Sequence, residues 1–191
     1  MAHVSIIGTG NMGQAISSIV TKGGNTVEAF NRSDADKPIT GDIVVLAVPY
    51  PAVADVIAER GDELAGKVVV DITNPLNFET FDALVVPADS SAAAEVATAL
   101  PQARVLKAFN TNFAATLAAG TVGAVPTTVL IAGDDTDAKS LLADVVTAGG
   151  LNAIDAGALN RARELEALGF LQLTLAVAEK VSWSGGFGVI A

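Results

Sequence analysis

The chain opens with a pattern that changes abruptly from strand-like to helical. Residues 4–7 form an uncharged, mostly apolar run, and the glycine-rich sequence Gly8-Thr-Gly-Asn-Met-Gly13 follows at once. Apolar residues then recur at the i, i+3, i+4 spacing of one helix face: Met12, Ala15, Ile16, Ile19 and Val20. This pattern predicts a buried strand, a tight turn and an amphipathic helix, which Gly23 and Gly24 end.

Later apolar runs are short and alternate with helical segments. Strands are predicted at residues 26–30, 43–48, 67–71, 104–107, 127–132 and 151–154. Helices are predicted at residues 51–60 and 91–100, after the capping pair Asp134-Asp135, and at residues 165–178. The last helix is apolar nearly all round, so we expect burial on more than one side. This alternation predicts an α/β fold with a mostly parallel sheet.

The connection after the second strand is too short to hold both a helix and a further strand. It spans residues 31–42, and a parallel crossover alone needs about a dozen residues. The next strand is therefore expected on the far side of the first, in a Rossmann-like, doubly wound sheet of order 2-1-3-4-5. That order places the topological switch point over the glycine-rich turn. We expect one domain over residues 1–191, with a dinucleotide-binding core to about residue 125 and a C-terminal α/β extension over about 126–191.

The glycine-rich turn fits a dinucleotide-binding fingerprint because it lies between a strand and a helix. Gly8 permits the tight turn, Gly10 lets a pyrophosphate approach the backbone, and Gly13 lets the helix pack against its strand. Unpaired N–H groups and the positive end of the helix dipole then bind the phosphates. The alternative is an ordinary glycine-rich turn.

The end of the second strand selects between NAD and NADP, since the cofactor's ribose binds there. Asn31, Arg32 and Ser33 occupy this position, and Glu28 lies too early in the strand to bind the ribose hydroxyls of NAD. A cation beside hydroxyl and amide groups suits a 2′-phosphate. We therefore expect NADP(H); the alternative is that Arg32 merely decorates a loop.

Three later strands also end in small, polar or Pro-containing sequences. These are Ala47-Val48-Pro49-Tyr50, Ile72-Thr73-Asn74-Pro75-Leu76 and Ala108-Phe109-Asn110-Thr111. Carboxyl ends of parallel strands line one crevice, where ligands bind in open α/β sheets. Residues 72–90 show no clear element, and a loop of that length is usually functional. We expect part of it to wall or cover the substrate site; a short hairpin without a ligand role is the alternative.

Composition excludes several classes of protein. Eleven Lys plus Arg against 21 Asp plus Glu give a net charge of −10, which opposes binding to nucleic acid or an anionic membrane. The chain has no Cys and one His, His3, at the edge of the first strand, so we predict neither a metal site nor a catalytic acid–base residue. The absence of a signal-peptide pattern and of an apolar run of about 20 residues predicts a cytoplasmic protein.

The remaining chemistry is positioning. Lys107 is the one cation at a strand end, and it either orients a ligand's carbonyl or phosphate or pairs with a carboxylate. A cofactor that carries its own chemistry requires mainly that the protein position it against its substrate in a dry crevice. The sequence therefore favours an oxidoreductase without a catalytic side chain.

Nearly the whole chain resembles the NADPH-dependent reductases of the deazaflavin coenzyme F-420, also called reduced coenzyme F-420:NADP oxidoreductases. The matching sequences are Gly8 to Gly13, Asn31-Arg32-Ser33, residues 42–49, residues 71–76, Lys107-Ala-Phe-Asn-Thr111, residues 132–135 and Asp155-Ala-Gly157, followed by Arg163 and Glu166. The resemblance implies NADP bound at Thr9, Gly10, Asn11, Met12, Arg32, Ser33, Val48 and Pro49. It implies a deazaflavin packed beside Asn74, Pro75, Leu76 and Asn110.

The same domain is similar to the NADPH-binding half of membrane ferric reductases, whose acceptor is an ordinary flavin. We therefore expect hydride transfer between NADPH and a small-molecule acceptor, either coenzyme F-420 or FMN or FAD, in a homodimer. One alternative is an NADP-dependent reductase of a small carbonyl or imine. Such enzymes append a helical domain of about 100 residues, against about 35 residues after Asp155 here. Another is a non-catalytic NADPH sensor.

Overall fold

A computed structural model describes residues 1–190. Its strands and α-helices follow in this order: β1 (His3–Ile7), α1 (Asn11–Lys22), β2 (Thr26–Phe30), β3 (Ile43–Leu46), α2 (Val53–Leu64), β4 (Val68–Asp71), α3 (Ala92–Ala99), β5 (Arg104–Lys107), α4 (Ala114–Ala119), β6 (Thr121–Val122), β7 (Val125–Pro126), β8 (Thr128–Gly133), α5 (Thr136–Ala148), β9 (Asn152–Gly157) and α6 (Ala162–Val177).

Seven of these strands form one sheet in the order β2-β1-β3-β4-β5-β8-β9. Every neighbouring pair is parallel except β5 and β8, which are antiparallel. The predicted Rossmann-like, mostly parallel sheet and its order 2-1-3-4-5 are confirmed. The sequence analysis missed α4 and the hairpin of β6 and β7, which reverse the chain before β8. Both are too short to give a clear periodic signal.

The sheet is covered on both faces, which is why β3 and β4 are continuously apolar or buried. One core contains Ile6 of β1, Ile16 of α1 and Leu142 of α5. The other contains Leu64 of α2 and Val96 of α3. Burial of each such side chain stabilises the fold by roughly 1.5–3 kcal/mol. The packing therefore fixes the carboxyl ends of the central strands in one rigid edge.

The short connection between β2 and β3 contains a single 3-10 turn, Arg32–Asp34, as its shortened length predicts. Its later part is held by polar side chains from β1 and from the edge strand β2. Ser5 Oγ donates to Glu28 Oε1 at 2.6 Å and accepts from the Gly41 N–H at 2.9 Å. The Thr40 N–H donates to the same Glu28 oxygen at 3.1 Å. Glu28 thus has a structural role in the middle of β2, before the ribose position.

Helix α6 differs from its sequence-based description. Its fully buried positions form one stripe, and that stripe includes the polar residues Glu166 and Gln172. Leu171 and Val177 are exposed instead. A polar side chain can be buried here because each finds hydrogen-bond partners, as described below. Of the helices within residues 1–190, none combines the length and the apolar character needed to cross a bilayer.

One of the two residues predicted to cap α5 is confirmed, and the other needs correction. Asp135 caps α5, since its carboxylate accepts from the Ala138 N–H at 2.8 Å. Asp134, expected to share that role, instead accepts from the Leu159 N–H at 2.9 Å. This bond joins the end of β8 to the 3-10 turn before α6, a long-range contact that local sequence does not reveal.

Candidate functional site

The carboxyl ends of β1, β3, β4 and β5 open into one cleft of about 620 Å³. Its lining consists of Gly10, Asn11, Met12, Ala47, Val48, Pro49, Tyr50, Ile72, Thr73, Asn74, Phe78, Phe109, Asn110, Asn112, Phe113, Ala114, Ala115, Leu173 and Trp183. The predicted crevice at the strand ends is therefore present. The glycine turn lies at one part of it, while α4, α6 and residues 178–190, here called the C-terminal tail, supply further walls.

Two glycines of the turn are required by close backbone packing. Gly8 has φ 121°, and a Cβ there would lie 2.1 Å from the carbonyl oxygen of Ala47. A Cβ on Gly13 would lie 2.1 Å from the carbonyl oxygen of Gly8. Neither position can hold a side chain unless the backbone moves. The roles predicted for Gly8 and Gly13 follow directly from these contacts.

Gly10 has a different environment, because a Cβ there would meet no atom within 4 Å among the described residues. It precedes α1 as the N-cap and offers no side-chain cap, and the first turn carries no acidic residue. The N–H groups of Asn11 and Met12 donate to no acceptor within residues 1–190. An open, uncapped helix N-terminus is suited to a phosphate group.

Asn31 and Ser33 shape the turn after β2. Asn31 Oδ1 accepts from the Ser33 backbone N–H at 2.7 Å and from Ser33 Oγ at 2.6 Å. The hydrogen bond from the Asn31 N–H, together with Lys37 at 2.5 Å, holds the pKa of Asp34 below its usual range. Both oxygens of the Asp34 carboxylate are therefore occupied within this connection, one by the Asn31 N–H and the other by Lys37.

Arg32 remains available for a ligand. It is exposed, and within residues 1–190 it forms neither an ion pair nor a side-chain hydrogen bond. The Gly8 N–H donates to the carbonyl oxygen of Phe30 at 2.9 Å, so the turn that carries Arg32 lies beside the glycine turn. This is the position in which a dinucleotide's adenosine ribose would lie.

The structure divides the predicted site residues into two groups. Gly10, Asn11, Met12, Ala47, Val48, Pro49, Tyr50, Asn74 and Asn110 line the cleft. The others are Gly8, Thr9, Gly13, Asn31, Arg32, Ser33, Pro75 and Leu76, which lie outside its lining. Most of these belong to the two turns beside it. Pro75 and Leu76 are buried, and Leu76 instead forms an isolated β-bridge with Leu84.

That bridge closes a small hairpin in the loop at residues 72–90. The Val85 N–H donates to the carbonyl oxygen of Pro75 at 2.7 Å, and the Asn77 N–H donates to that of Ala83 at 3.0 Å. Phe78, from the same hairpin, lines the cleft. The two alternatives considered for this loop are thus both partly true, since it contains a hairpin and also walls the cleft.

Several lining residues were not singled out from the sequence: Phe78, Asn112, Phe113, Ala114, Ala115, Leu173 and Trp183. Most come from α4, α6 and the C-terminal tail, whose position against the sheet depends on long-range packing. Asn112 is the exception, because its amide follows Asn110 by two positions in the same strand-end segment. That repetition was a usable signal.

An asparagine pair joins two of the strand ends across the cleft floor. Asn74 Nδ2 donates to the Asn110 carbonyl oxygen at 2.9 Å, and Asn110 Nδ2 donates to Asn74 Oδ1 at 3.0 Å. Asn110 Nδ2 also donates to the Leu165 carbonyl oxygen at 2.8 Å, which ties α6 to the floor. These bonds fix the orientation of both amides.

Three buried polar atoms in the cleft lining have no hydrogen-bond partner within residues 1–190: Thr73 Oγ1, Asn110 Oδ1 and Asn112 Oδ1. A buried polar atom without a partner costs about 1–3 kcal/mol, so native proteins rarely keep one without a reason. All three atoms are shielded from solvent, so an ordered water beside them, rather than a ligand in the open cleft, is the group that could supply the missing partners.

Phe109 adds backbone strain at the same floor. Its φ is 62°, in the left-handed region that a bulky residue rarely adopts. This conformation lets the Asn110 N–H donate to the Ala108 carbonyl oxygen at 2.8 Å and the Asn112 N–H donate to that of Phe109 at 3.0 Å. Strain of this kind costs about 1–3 kcal/mol and is typical of functional sites. It presents Asn110 and Asn112 at the end of β5.

Beneath the floor, Lys107 forms a buried ion cluster. Its Nζ lies 2.8 Å from Asp71 Oδ2 and 2.7 Å from Glu166 Oε1, and all three side chains are shielded from solvent. Lys107 also donates to the Thr73 carbonyl oxygen at 2.6 Å, while the Thr73 N–H donates to Asp71 Oδ1 at 2.9 Å. Of the two roles considered for Lys107, the ion pair is the one the structure shows.

The second carboxylate of this cluster also caps a helix. Glu166 accepts from the Ala92 N–H at 3.0 Å and from the Ala93 N–H at 3.3 Å, at the N-terminus of α3. Burial raises the pKa of Glu166, while Lys107 and these N–H groups oppose that rise. The cluster therefore links α6 and α3 to the strand ends that carry the cleft.

Tyr50 is the one titratable side chain among the cleft-lining residues, all of which lie in the described part of the chain. Its hydroxyl donates to Glu95 Oε2 at 2.6 Å. Burial and the bond to Glu95 raise the pKa of Tyr50 to about 12, so this phenol stays neutral near pH 7. The cleft offers no group that exchanges a proton readily at neutral pH.

The parallel sheet, the backbone-packed glycine turn and the cleft at the switch point define a Rossmann-type dinucleotide-binding protein. The chain matches the family model described as NADP oxidoreductase, coenzyme F420-dependent, over residues 26–75. An F420-dependent NADP reductase from Methanocaldococcus jannaschii is 30% identical over 171 residues, which are 87% of this chain and 76% of that protein. The chain therefore belongs to the family of F420-dependent NADP reductases and is an NADP-dependent oxidoreductase.

Two further comparisons extend this result. Metalloreductase STEAP3 from Rattus norvegicus is 27% identical over 180 residues, which are 86% of this chain but only 36% of that protein. A crystal structure from Arthrobacter sp. FB24, assigned to the F420-dependent NADP reductases, covers all of both chains with a TM-score of 0.87. Its identity of 23% means that this likeness shows the fold alone.

We predict that Lys107→Met strongly destabilises the protein. The substitution leaves Asp71 and Glu166 buried without their shared cation, and loss of one partner of a buried pair costs about 3–5 kcal/mol. Urea unfolding measures this loss. Adding Glu166→Gln to the variant should recover part of it, because one uncompensated charge is removed.

The control is Lys37→Ala, which breaks an ion pair whose lysine is exposed and should cost less than about 1 kcal/mol. Equal stability of Lys107→Met and the unmodified protein would show that the buried cluster contributes no net stabilisation.

Proposed function

We propose that this protein transfers a hydride between NADPH and the deazaflavin ring of coenzyme F-420. The observation that carries the proposal is the chemistry of the cleft lining, which is apolar or neutral and has Tyr50 as its sole titratable side chain within the described residues. A conjugated ring can spread an incoming electron pair over its own nitrogen and carbonyl groups. A carbonyl or imine substrate instead needs a proton donor beside the reacting atom.

The residues around the glycine turn fit the phosphate groups of NADP(H). The open space at Gly10 would admit a pyrophosphate, and the free N–H groups of Asn11 and Met12 would donate to it. Arg32, with the turn formed by Asn31 and Ser33, would bind the 2′-phosphate. Thr9 completes this surface. The overall charge of −10 makes such local binding groups necessary.

The nicotinamide would lie beyond the turn, against Ala47, Val48, Pro49 and Tyr50. When bound, NADPH supplies the hydride, and the cofactors carry the chemistry. The protein's part is to hold two rings at contact distance and keep water out. The strained backbone at Phe109 and the paired amides of Asn74 and Asn110 keep the facing wall in a fixed geometry.

The hydroxyl and amide side chains of Thr73, Asn110 and Asn112 make this part of the lining polar, which suits a ligand whose ring carries N–H donors. A nicotinamide carboxamide and the pyrimidine-like ring of a deazaflavin both carry such donors. Ordinary flavins carry them too, so FMN and FAD remain the second candidate acceptors. Pro75 and Leu76 would then support Asn74 from behind, since both are buried. The homodimer and the cytoplasmic location stay predictions.

The proposed acceptor is tested by offering coenzyme F-420, FMN, FAD and riboflavin in turn to the protein with NADPH, while the nicotinamide absorbance is followed. We expect coenzyme F-420 to give the highest kcat/KM. Preference for a flavin would move the assignment to a flavin reductase. Tight NADPH binding without oxidation by any acceptor would indicate a sensor, and turnover of a small ketone or imine would overturn the proposal.

Arg32→Ala should weaken NADPH binding by about 10- to 150-fold, because a hydrogen bond to a charged group contributes about 1.5–3 kcal/mol. NADH lacks the 2′-phosphate, so its affinity should change by less than about twofold. Calorimetric titration of both nucleotides measures the difference.

The matched control is Lys37→Ala, which removes a cation of the same connection that already pairs with Asp34. It should leave the preference for NADPH nearly unchanged. Equal losses of NADPH and NADH affinity in Arg32→Ala would contradict the role of Arg32 at the 2′-phosphate.

The hydride step should vary little with pH. Measured in single turnovers, its rate should change less than about twofold between pH 6 and 8, because Tyr50 titrates only near its raised pKa of about 12. Deuterium at the transferred position of NADPH should slow the same step. His3→Gln, at the sole histidine, should leave the rate unchanged. A bell-shaped profile in this range would instead point to a general acid and a carbonyl or imine substrate.

A further inference from the structure

The C-terminal tail is fastened to the cleft by one buried amide. Gln172 of α6 donates from Nε2 to the Thr111 carbonyl oxygen at 3.1 Å. Its Oε1 accepts from the Phe187 N–H at 3.0 Å. Gln172 is buried and both ends of its amide are hydrogen-bonded, the bond to Thr111 being fully buried and the bond to Phe187 partly so. The tail therefore has a fixed place beside the segment that follows β5.

The tail carries the chain's only tryptophan into the cleft. The indole of Trp183 packs on Phe113, with ring centroids 5.0 Å apart and an interplanar angle of 53°. Its backbone lies in a small turn, in which the Ser184 N–H donates to Ser182 Oγ at 3.0 Å and the Gly185 N–H donates to the Ser182 carbonyl oxygen at 2.8 Å. The indole is thus held in place by its packing on Phe113 and by the hydrogen-bonded turn of its own backbone.

Trp183 nevertheless leaves 53% of its surface exposed, and it lies in the cleft lining. Leu173 of α6 and Phe113 beside it make this wall apolar. A large aromatic face that is held in place and left uncovered inside a cleft suits a flat, conjugated ligand, because stacking would remove that face from water.

We propose that Trp183 contacts the ring of the electron acceptor and sets the affinity for it. This inference rests on the proposed function. A dinucleotide would follow the strand ends, from the Arg32 turn past Gly10 to the residues after β3. Trp183 instead lines the cleft from the tail, packed on Phe113 and outside the strand ends, so we assign it to the part of the cleft that the second ring would occupy. The affinity for the acceptor should then depend on Trp183, and that for NADPH should not.

Kinetic constants of tail variants test this assignment. Trp183→Leu should raise the KM for the best acceptor about 3- to 10-fold, because loss of one aromatic stacking contact weakens binding by about that factor. The KM for NADPH should stay within about twofold. Trp183→Phe should restore most of the loss, because it keeps a stacking face. Phe187→Ala is the matched control, since Phe187 is an exposed aromatic of the same tail outside the cleft lining. It should change neither constant.

The acceptor's own fluorescence gives a readout that does not depend on turnover. An indole in contact with an excited flavin or deazaflavin ring quenches its emission by short-range electron transfer. Riboflavin or coenzyme F-420, titrated with the protein in the absence of NADPH, should lose emission on binding. The bound ring should be brighter in Trp183→Leu, and the apparent Kd should rise with the KM.

The outcomes separate the two proposals. Wild-type protein that reduces no acceptor with NADPH overturns the proposed function, whereas the fluorescence titration still decides whether Trp183 meets such a ring. Normal turnover with unchanged acceptor KM and unchanged quenching in Trp183→Leu overturns the inference alone. A larger effect on NADPH than on the acceptor, or an equal effect of Phe187→Ala, would also overturn it, since the tail would then act on the nicotinamide or as a whole.

Discussion

The ammonium group of Lys107 holds together the segments that lie beneath the floor of the cleft. It binds Asp71 at the end of β4, Glu166 of α6 and the carbonyl oxygen of Thr73, all without solvent. The end of β4 and the helix α6, which are distant in sequence, are thereby both held to the charge at the end of β5. Two carboxylates around one cation leave a net negative charge, which the N–H groups at the start of α3 offset. Movement of the floor is therefore opposed, because displacing any of these groups would leave a buried charge uncompensated.

The opposite side of the cleft is fixed by a different constraint, the close approach of backbone segments. Gly8 and Gly13 have no room for a Cβ, whereas Gly10 has open space around it. The same turn is thus packed tightly on its protein side and left uncovered on its ligand side. The ion cluster beneath the floor and the closely packed glycine turn each hold part of the cleft in place. The distance between two bound rings would then be set by the sheet that carries both parts.

The parts of this arrangement that follow from local rules could be predicted from the sequence. The glycine spacing predicts the turn, and the short connection after β2 predicts the strand order. The polar and Pro-containing sequences at the strand ends predict most of one cleft wall. The partners of Lys107 could not be chosen among many carboxylates, because Glu166 is 59 positions away and reaches it only through the packing of α6. Trp183 and Phe113 were missed for the same reason. Their place depends on how α6 and the tail return across the sheet, which periodicity does not encode.

The lining of the cleft is neutral, whereas the whole protein carries a net charge of −10. The field of the whole molecule opposes the approach of a phosphate-bearing cofactor. In the proposed binding mode, affinity would come from short-range groups, namely the N–H groups at α1 and the Arg32 side chain, which act within a few ångströms. At the reacting end, by contrast, the lining has no charge to stabilise one redox state of a ring over another. The protein would favour neither direction strongly, and the relative concentrations of the reduced and oxidised cofactors would decide which way the hydride moves. Selectivity in the proposed cleft would come from shape and stacking, and the aromatic wall of Trp183 and Phe113 would supply the stacking.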